Sequence, residues 1–485
     1  MSSLVLPEIA WIALLPLLVV GGTALLVLIA DFFNEGPDYD ALGWIGLVGL
    51  VAATLCCVPL WSQSATTLSG AVVLDRYGLF FTALFCLGAA LTLLLSMNYL
   101  ETTDIRCGDY YTLLLFSTFG MVLMATSLDL IVIFLGLEVM SVAAYALAGI
   151  WRTQVRSNEA ALKYFILGAF ATGFLLFGVA LLFGASGETL LPRIGDVAAK
   201  ASPDQRMLLA AGSSLLLVGF GFKVAAAPFH SWAPDVYEGA PTAVTAFMAV
   251  AIKAAAFAAF VRVFFDALGP LASDWREALW LLAVLTMTVG NVSALVQRNI
   301  KRLLAYSSIA HAGYLLVGMV AGGDAGGSAV LFYLVVYTLM TVGAFAVVIA
   351  LGRRGQPNED LDDWAGVGLR SPFLGFAMTV FMLSLAGVPP LAGFMGKFYL
   401  FSAALEAGYV WLTVIAVLNS LVSVYYYIGV LVKMYMAEGA TEVEPAMARP
   451  YLFAALLLTL VGTFVLGLFP SPWFELARRS LESLS

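Results

Sequence analysis

The sequence predicts an all-α polytopic membrane protein of about fourteen transmembrane helices, built around two inverted five-helix repeats that contain broken helices. Three observations lead there. Of 485 residues, 62% are hydrophobic and only 11% charged, with a mean hydropathy of +0.97, whereas soluble domains average about 45–50% apolar and about 25% charged residues. Apolar runs of about 20 residues, each long enough to cross a bilayer as a helix, recur from one end to the other. A weak internal similarity returns about 170 residues later. A transmembrane barrel would instead show alternating segments of about ten residues.

Counted by hydropathy, the spans centre near residues 20, 51, 87, 118, 140, 172, 217, 252, 286, 312, 338, 386, 422 and 460. The first, in "MSSLVLPEIAWIALLPLL", lacks a basic n-region and a small-residue cleavage site, so it reads as a retained helix. The longest polar connections, 186–206 and 352–370, are too short for a folded extramembrane domain. An even number of spans puts both termini on one side. Loops after odd-numbered spans carry Arg106, Arg152, Arg156, Arg298, Arg302, Arg353, Arg354, Arg370 and Arg449. The other side carries Arg76, Arg193, Lys200, Arg206, Arg276, Arg478 and Arg479. This bias places the termini outside the cytoplasm by the positive-inside rule.

The internal similarity pairs "AALKYFILGAFATGFLLFGVALLFG" (160–184) with "AVLFYLVVYTLMTVGAFAVVIALG" (329–352), and "GFGFKVAAAPF" (219–229) with "LAGFMGKFYLF" (391–401). If spans four to eight return as nine to thirteen, the odd offset inverts the second unit in the membrane. Inverted repeats with broken helices near the midplane are how many transporters build ion sites. The expected division is an N-terminal three-helix segment (1–105), a first unit (106–270), an inverted second unit (271–440) and a C-terminal helix (441–485).

The charges are sorted by type. The arginines mostly occupy loops and helix ends. Six of the seven lysines (Lys163, Lys223, Lys253, Lys301, Lys397 and Lys433) sit in or at the edge of apolar spans, and only Lys200 lies in a clearly polar loop. Lysine can lose its proton when buried and arginine effectively cannot, so a site that cycles between charged and neutral uses lysine. An intramembrane charge costs about 2.5–3.5 kcal/mol even on the lenient insertion scale and is functional by default. Glu138, near the centre of the fifth span in "IFLGLEVMSVAAYALAGI", is the candidate counter-charge. A Glu–Lys pair that can be made and broken would act as a tunable proton store.

Plainer roles compete with these. Lys163 could snorkel to the interface, Lys301 could only obey the positive-inside rule, and Lys433 reads as an interfacial anchor. Asp129 could be an N-cap or a proton-access group. His230 follows Pro228 at the end of the seventh span, and His311 lies mid-span beside Ser307 and Ser308. Each histidine could be a satisfied structural residue, but the imidazole pKa suits a proton relay near neutral pH. Pro228, and Pro389, Pro390, Gly393 and Gly396 ahead of Lys397, break their helices. Irregular backbone at membrane depth is tolerated only where it faces protein or water, so hydrated cavities are expected beside Lys223 and Lys397. Cys56, Cys57, Cys86 and Cys107 show no C-x-x-C spacing, and no metal or disulfide role is expected of them. No basic run suggests nucleic-acid binding.

"GFGFKVAAAPFHSWAPDVYEGAPTAVTAFMAVAIKAAAFAAFVR" resembles the signature of the antiporter-like membrane subunits of respiratory complex I, the NADH:quinone oxidoreductase. "HSWAPDVYEGAPT", "NIKRLLAYSSIAHAGYLLVG", "SLAGVPPLAGFMGKFYLF" and "VSVYYYIGVLVKMYM" resemble the subunit N branch of bacterial or plastid type, counterpart of mitochondrial subunit 2. The resemblance covers nearly the whole chain, although the first two spans match only in character. It implies a proton-translocating subunit in which Glu138, Lys163, Lys223, Lys253, Lys301 and Lys397 match family positions, with His230 and His311 as possible relay members. It implies other complex I membrane subunits as partners, neighbouring antiporter-like subunits especially, within the bacterial inner membrane. It also implies that NADH, FMN, iron–sulfur clusters and quinone are bound by other subunits, with no cofactor in this chain. Two other readings share these charges: a cation/proton antiporter subunit without redox chemistry, and a subunit that only scaffolds its complex.

Overall fold

The computed structural model describes residues 9–34, 36, 39–103, 105, 108–352, 358–439 and 449–484. Cys107, Arg106, Arg353 and Arg354 lie outside the described residues. Helices α1 (Trp11–Phe32) and α2 (Asp40–Leu60) form the first hairpin. A two-stranded antiparallel ribbon, β1 (Ala65–Thr67) and β2 (Val72–Leu74), leads into α3 (Arg76–Thr103).

The next helices are α4 (Asp109–Ala125), α5 (Leu130–Ala148), α6 (Val155–Ser186) and the short α7 (Leu191–Ala199). Helix α8 (Pro203–Lys223) opens on a capping box, in which Ser202 and Gln205 satisfy each other's backbone N–H groups. It stops at Lys223, and the chain resumes as α9 (Trp232–Gly239). The following span, Thr242–Ala267, consists of α10 (Thr242–Phe247), a π-helical turn, α11 (Lys253–Arg262) and a second π-helical turn. Then come α12 (Ala272–Ala294), α13 (Ile300–Ala321), α14 (Gly323–Leu351), α15 (Val367–Arg370), α16 (Pro372–Ala386) and α17 (Ala392–Glu406). The chain ends with α18 (Val410–Met436), α19 (Pro450–Leu468) and α20 (Pro470–Leu481).

Among the described residues, twelve helical stretches are long and apolar enough to cross a membrane. The 17-residue α4 and the broken pair α16 and α17 occupy the other two of the fourteen expected positions. The span Thr242–Ala267 is the core: it is buried up to its last turn, where Phe265 and Asp266 are half-buried, and nearly all of α13 and α14 is buried with it. Alanine-rich α11 lets neighbours approach closely on every face. Among the described residues, the two long polar connections hold short helical segments, α7 in the first, and a 3-10 turn (Leu361–Trp364) and α15 in the second.

The repeat is written in backbone hydrogen bonds. Ahead of α5, Asp129 bridges Leu190; ahead of α13, Asn299 bridges Asp360, each partner 170 positions later. Leu130 N–H donates to Thr189 O at 2.9 Å, and Ile300 N–H donates to Glu359 O at 2.8 Å. Asp129 caps α5 through the N–H groups of Ile131 and Val132, and Asn299 caps α13 through those of Lys301 and Arg302. Asp129 is thus an N-cap. The helix crossings repeat as well. A Cβ on Gly120 of α4 would meet the backbone of Gly136 and Met140 in α5 within 2.6 Å; a Cβ on Gly290 of α12 would meet Tyr306 and Ala310 of α13 within 2.9 Å. Only glycine permits either approach. Five spans separate the two copies, so equivalent helices run in opposite directions.

Candidate proton-path site

Lys223 is the last residue of α8 and is almost wholly buried. Its Nζ donates to Ser141 Oγ at 2.7 Å and to Tyr145 OH at 3.1 Å, beneath the rings of Tyr145 and Tyr164. The expected direct pair with Glu138 is not formed. Glu138 lies one turn before Ser141 on the same face of α5, and its Oε1 is buried without a hydrogen-bond partner. The serine and tyrosine hydroxyls stand where contact with the carboxylate was expected, so the two charges face each other across Ser141.

Helix α13 carries most of the remaining groups on one stripe. Positions 301, 308, 311 and 314 recur at seven or three residues and so share a face. Lys253, buried on the central span, donates to Ser308 O at 2.6 Å and makes a short contact with Ser308 Oγ. His311 meets Tyr333 OH through Nδ1 at 2.5 Å and Tyr427 OH through Nε2 at 3.0 Å, and Tyr427 also contacts Ser307. Tyr314 lies beneath Lys397, with Nζ 4.9 Å from its ring centroid. Lys397 donates to Leu385 O and Ala386 O, each at 3.0 Å, and to Ser420 Oγ at 2.9 Å. Those carbonyls belong to the last turn of α16, freed by the break and carrying the negative end of the helix dipole. The break thus supplies two carbonyls and α18 the Ser420 hydroxyl, three protein acceptors that are a full complement for an ammonium, where hydration was the expectation.

A second cluster lies at the end of the molecule where α6 and α13 begin. Asp235 of α9 accepts from Lys163 at 2.8 Å through one oxygen and from Arg302 at 2.7 Å through the other. Lys163 also pairs with Glu159, and Arg302 with Glu238. Lys301, fully buried, donates to Glu238 O and Ala240 O and pairs with Glu359 at 3.1 Å. Lys163 remains 41% exposed, which puts it at the mouth of a charged cleft rather than inside the span. His230 stands apart: it is half-buried in the break after α8, and its Nδ1 has no partner. Lys433 pairs with exposed Asp362, as an anchor would.

Sequence reading missed several groups. Asp235 stood in the quoted signature without a role, and Tyr145, Tyr333 and Tyr427 looked like ordinary aromatic residues of apolar helices. Arg262, deep in a span, forms a buried pair in which its Nη2 donates to both carboxylate oxygens of Asp75, at 2.8 and 3.1 Å, with its guanidinium over Tyr77. Its signal was its place in "AAFAAFVRVFF", nine residues past Lys253.

A bundle of inverted broken-helix repeats, with amines held on a polar stripe through its centre, is the architecture of an ion-translocating membrane protein. The family of NADH:quinone oxidoreductase/Mrp antiporter transmembrane regions matches residues 127–423. The NADH-quinone oxidoreductase subunit N of Trichlorobacter lovleyi is 47% identical over 97% of this chain and 96% of the relative. That of Chloroflexus aggregans is 46% identical over the full length of both. The chain belongs to the NADH-quinone oxidoreductase subunit N family. A chain of respiratory complex I from Thermus thermophilus with bound aureothin superimposes with a TM-score of 0.80 at 37% identity, over 96% of this chain and 99% of that one. A chain of the Mrp complex from Dietzia sp. shares the fold, with a TM-score of 0.82 at 22% identity over 98% of each.

Proposed function

We propose that the chain is a proton-translocating membrane subunit of a complex I-type NADH:quinone oxidoreductase, coupling electron transfer in other subunits to proton movement. NADH, FMN, iron–sulfur clusters and quinone are held by those subunits, as the family membership implies. The chain sits in the bacterial inner membrane, termini on the non-cytoplasmic side, beside further antiporter-like subunits. The observation that carries this reading is the α13 stripe. It places Ser308 on Lys253, His311 between two tyrosine hydroxyls, and Tyr314 under Lys397, within one continuous polar seam. Separate structural lysines would need no such shared seam.

In the working path, Lys163 and Asp235 gather protons at the charged cleft and Lys223 stores one. Lys253 and His311 pass the proton along, and Lys397 releases it from the broken α16–α17 turn. Lys301 fixes α9 against α13. Glu138 faces Lys223 without touching it, so a charge change near Glu138 alters the ease with which Lys223 holds its proton. His230 is available at the break as a side branch. The division near residue 270 separates the loading unit from the releasing unit.

Lys223→Ala and Lys397→Ala, each in the assembled complex in proteoliposomes, test the reading. Both variants should lose most proton pumping relative to electron transfer. Unchanged proton-to-electron stoichiometry and turnover in both would sink it. The antiporter reading without redox chemistry is separated by purification in mild detergent: flavin and iron–sulfur subunits should come down with this chain.

A further inference from the structure

A groove of about 640 Å³ opens between α1, α4, α5 and α6, at the end where α4 and α6 begin. Its mouth carries Asp109, Arg152 and Asn158, and its wall carries Leu113 and Thr112. The Thr112 hydroxyl is buried and has no hydrogen-bond partner. Tyr145 lines the groove, and its hydroxyl lies 3.1 Å from Lys223 Nζ. One side chain therefore separates this groove from the buried amine.

We propose that the groove is the water route to Lys223, and that Tyr145 is both its plug and the proton relay across it. The inference rests on the proton-translocation reading and names how the proton reaches the first buried amine. A cavity holds water where it is roomy and offers polar partners. This one offers the three mouth residues, the orphan Thr112 hydroxyl and the Tyr145 phenol. The transfer balances within the relay. The hydroxyl proton of Tyr145 passes to the neutral amine of Lys223 while a protonated groove water delivers its extra proton to the phenol oxygen and is left as neutral water, so Tyr145 ends as it began and the amine alone gains the charge. The Tyr145 ring packs edge-on against Tyr164 and Phe165, at 4.7 and 5.9 Å, which holds the plug closed between transfers.

The second repeat supports the assignment by contrast. The residue 170 positions after Tyr145 is Leu315, fully buried and without a hydroxyl. The helix equivalent to α6 is α14, which is covered by protein on nearly every side. The route belongs to the first unit alone, where α6 borders the surface.

The test uses the assembled complex in inverted membrane vesicles. Lys223→Cys is probed with a small, membrane-impermeant thiol reagent added from the side of the groove mouth. Adding Leu113→Trp, which fills the groove, should remove most of the labelling; adding Leu113→Met, of similar volume, should leave it. Adding Tyr145→Ala should raise the labelling rate. On the Lys223 background, Tyr145→Phe should lower the proton-to-electron ratio and shift its pH profile, because the plug remains while the relay is lost. Labelling indifferent to Leu113→Trp would overturn the route, and an unchanged ratio and pH profile in Tyr145→Phe would overturn the relay. Lys397→Ala serves as the control. If it still pumps fully, the proton reading itself fails; if it loses pumping while the groove variants behave as wild type, only this inference fails.

Discussion

The two repeats share a backbone and differ in chemistry. The capping residue, the bridge ahead of the second helix and the glycine at the helix crossing all return 170 positions later. The functional side chains do not. Glu138 of the first unit corresponds to Ser308 of the second, Ser141 to His311, and Tyr145 to Leu315. The first unit therefore holds the only carboxylate on this helix face, and the second holds the imidazole. Duplication fixed where polar groups can stand, because broken helices and close crossings set the acceptors. Which group stands there is free to diverge, since each needs only one or two partners from its neighbours. The same division governs the ends of the closing spans. Arg262, in the last turn of α11, is buried against Asp75, whereas Lys433, in the last turn of α18, is 44% exposed.

That last contrast gives the largest expected effect. Removing one partner of a buried pair leaves an uncompensated charge and costs about 3–5 kcal/mol. Arg262→Ala should therefore strip the first unit of its tie to the β1–β2 ribbon and α3, and sharply reduce the fraction of complex surviving heating in detergent. Val432→Ala, at a 43% exposed position beside Lys433 on α18, should leave that fraction where it is. Replacing both Arg262 and Asp75 with apolar residues should recover much of the loss. Comparable losses at 262 and 432 would mean that the two ends are held alike, against the geometry.

The crossings probe what the repeats have in common. Gly120→Val and Gly290→Val each force a side chain into facing backbone, at a cost of about 1–3 kcal/mol and occasionally more. The losses of assembled subunit should be similar, measured by quantifying this chain in purified complex. A variant tolerated at one site only would show that one crossing can relax, and that the equivalence is sequence deep rather than mechanical.

The span count, the repeat and the buried lysines were all legible in the sequence. Hydropathy is a local property, and an unpaired lysine in an apolar run is visible without any partner. The partners were not legible. Tyr333, Tyr427 and Tyr145 read as apolar bulk because a phenol's polar tip shows only when something meets it. The Glu138–Lys223 contact was over-read, because charge complementarity along a chain says nothing about the serine and tyrosine that the helix turn puts between them. Asp235 was passed over for the opposite reason: in a loop-like stretch an acid needs no explanation, and only the fold brings Lys163 and Arg302 to its two oxygens. Lys301 stood between a proton-path role and an interfacial one, and its burial, with α9 folded over it, could not be read from its place beside Arg302.

The smallest effect belongs to the last lysine of the series. Lys433 lies in the last turn of α18 and pairs at 2.5 Å with Asp362, both side chains well exposed. The hydrogen bond from Lys433 holds the Asp362 carboxyl below its ordinary range. A carboxyl lowered in the folded state contributes above its unfolded pKa, and that contribution fades as the pH falls through the folded value. Exposed pairs contribute little because water and salt screen them. Lys433→Ala should therefore leave thermal survival at neutral pH unchanged, and any small difference from wild type should vanish on acidification or in high salt. Proton pumping should also be intact, since the Lys433 amine is exposed and bonded to Asp362 at the surface. A clear pumping defect in Lys433→Ala with normal assembly would extend the functional series to the membrane surface and erase the distinction between buried carriers and surface anchors.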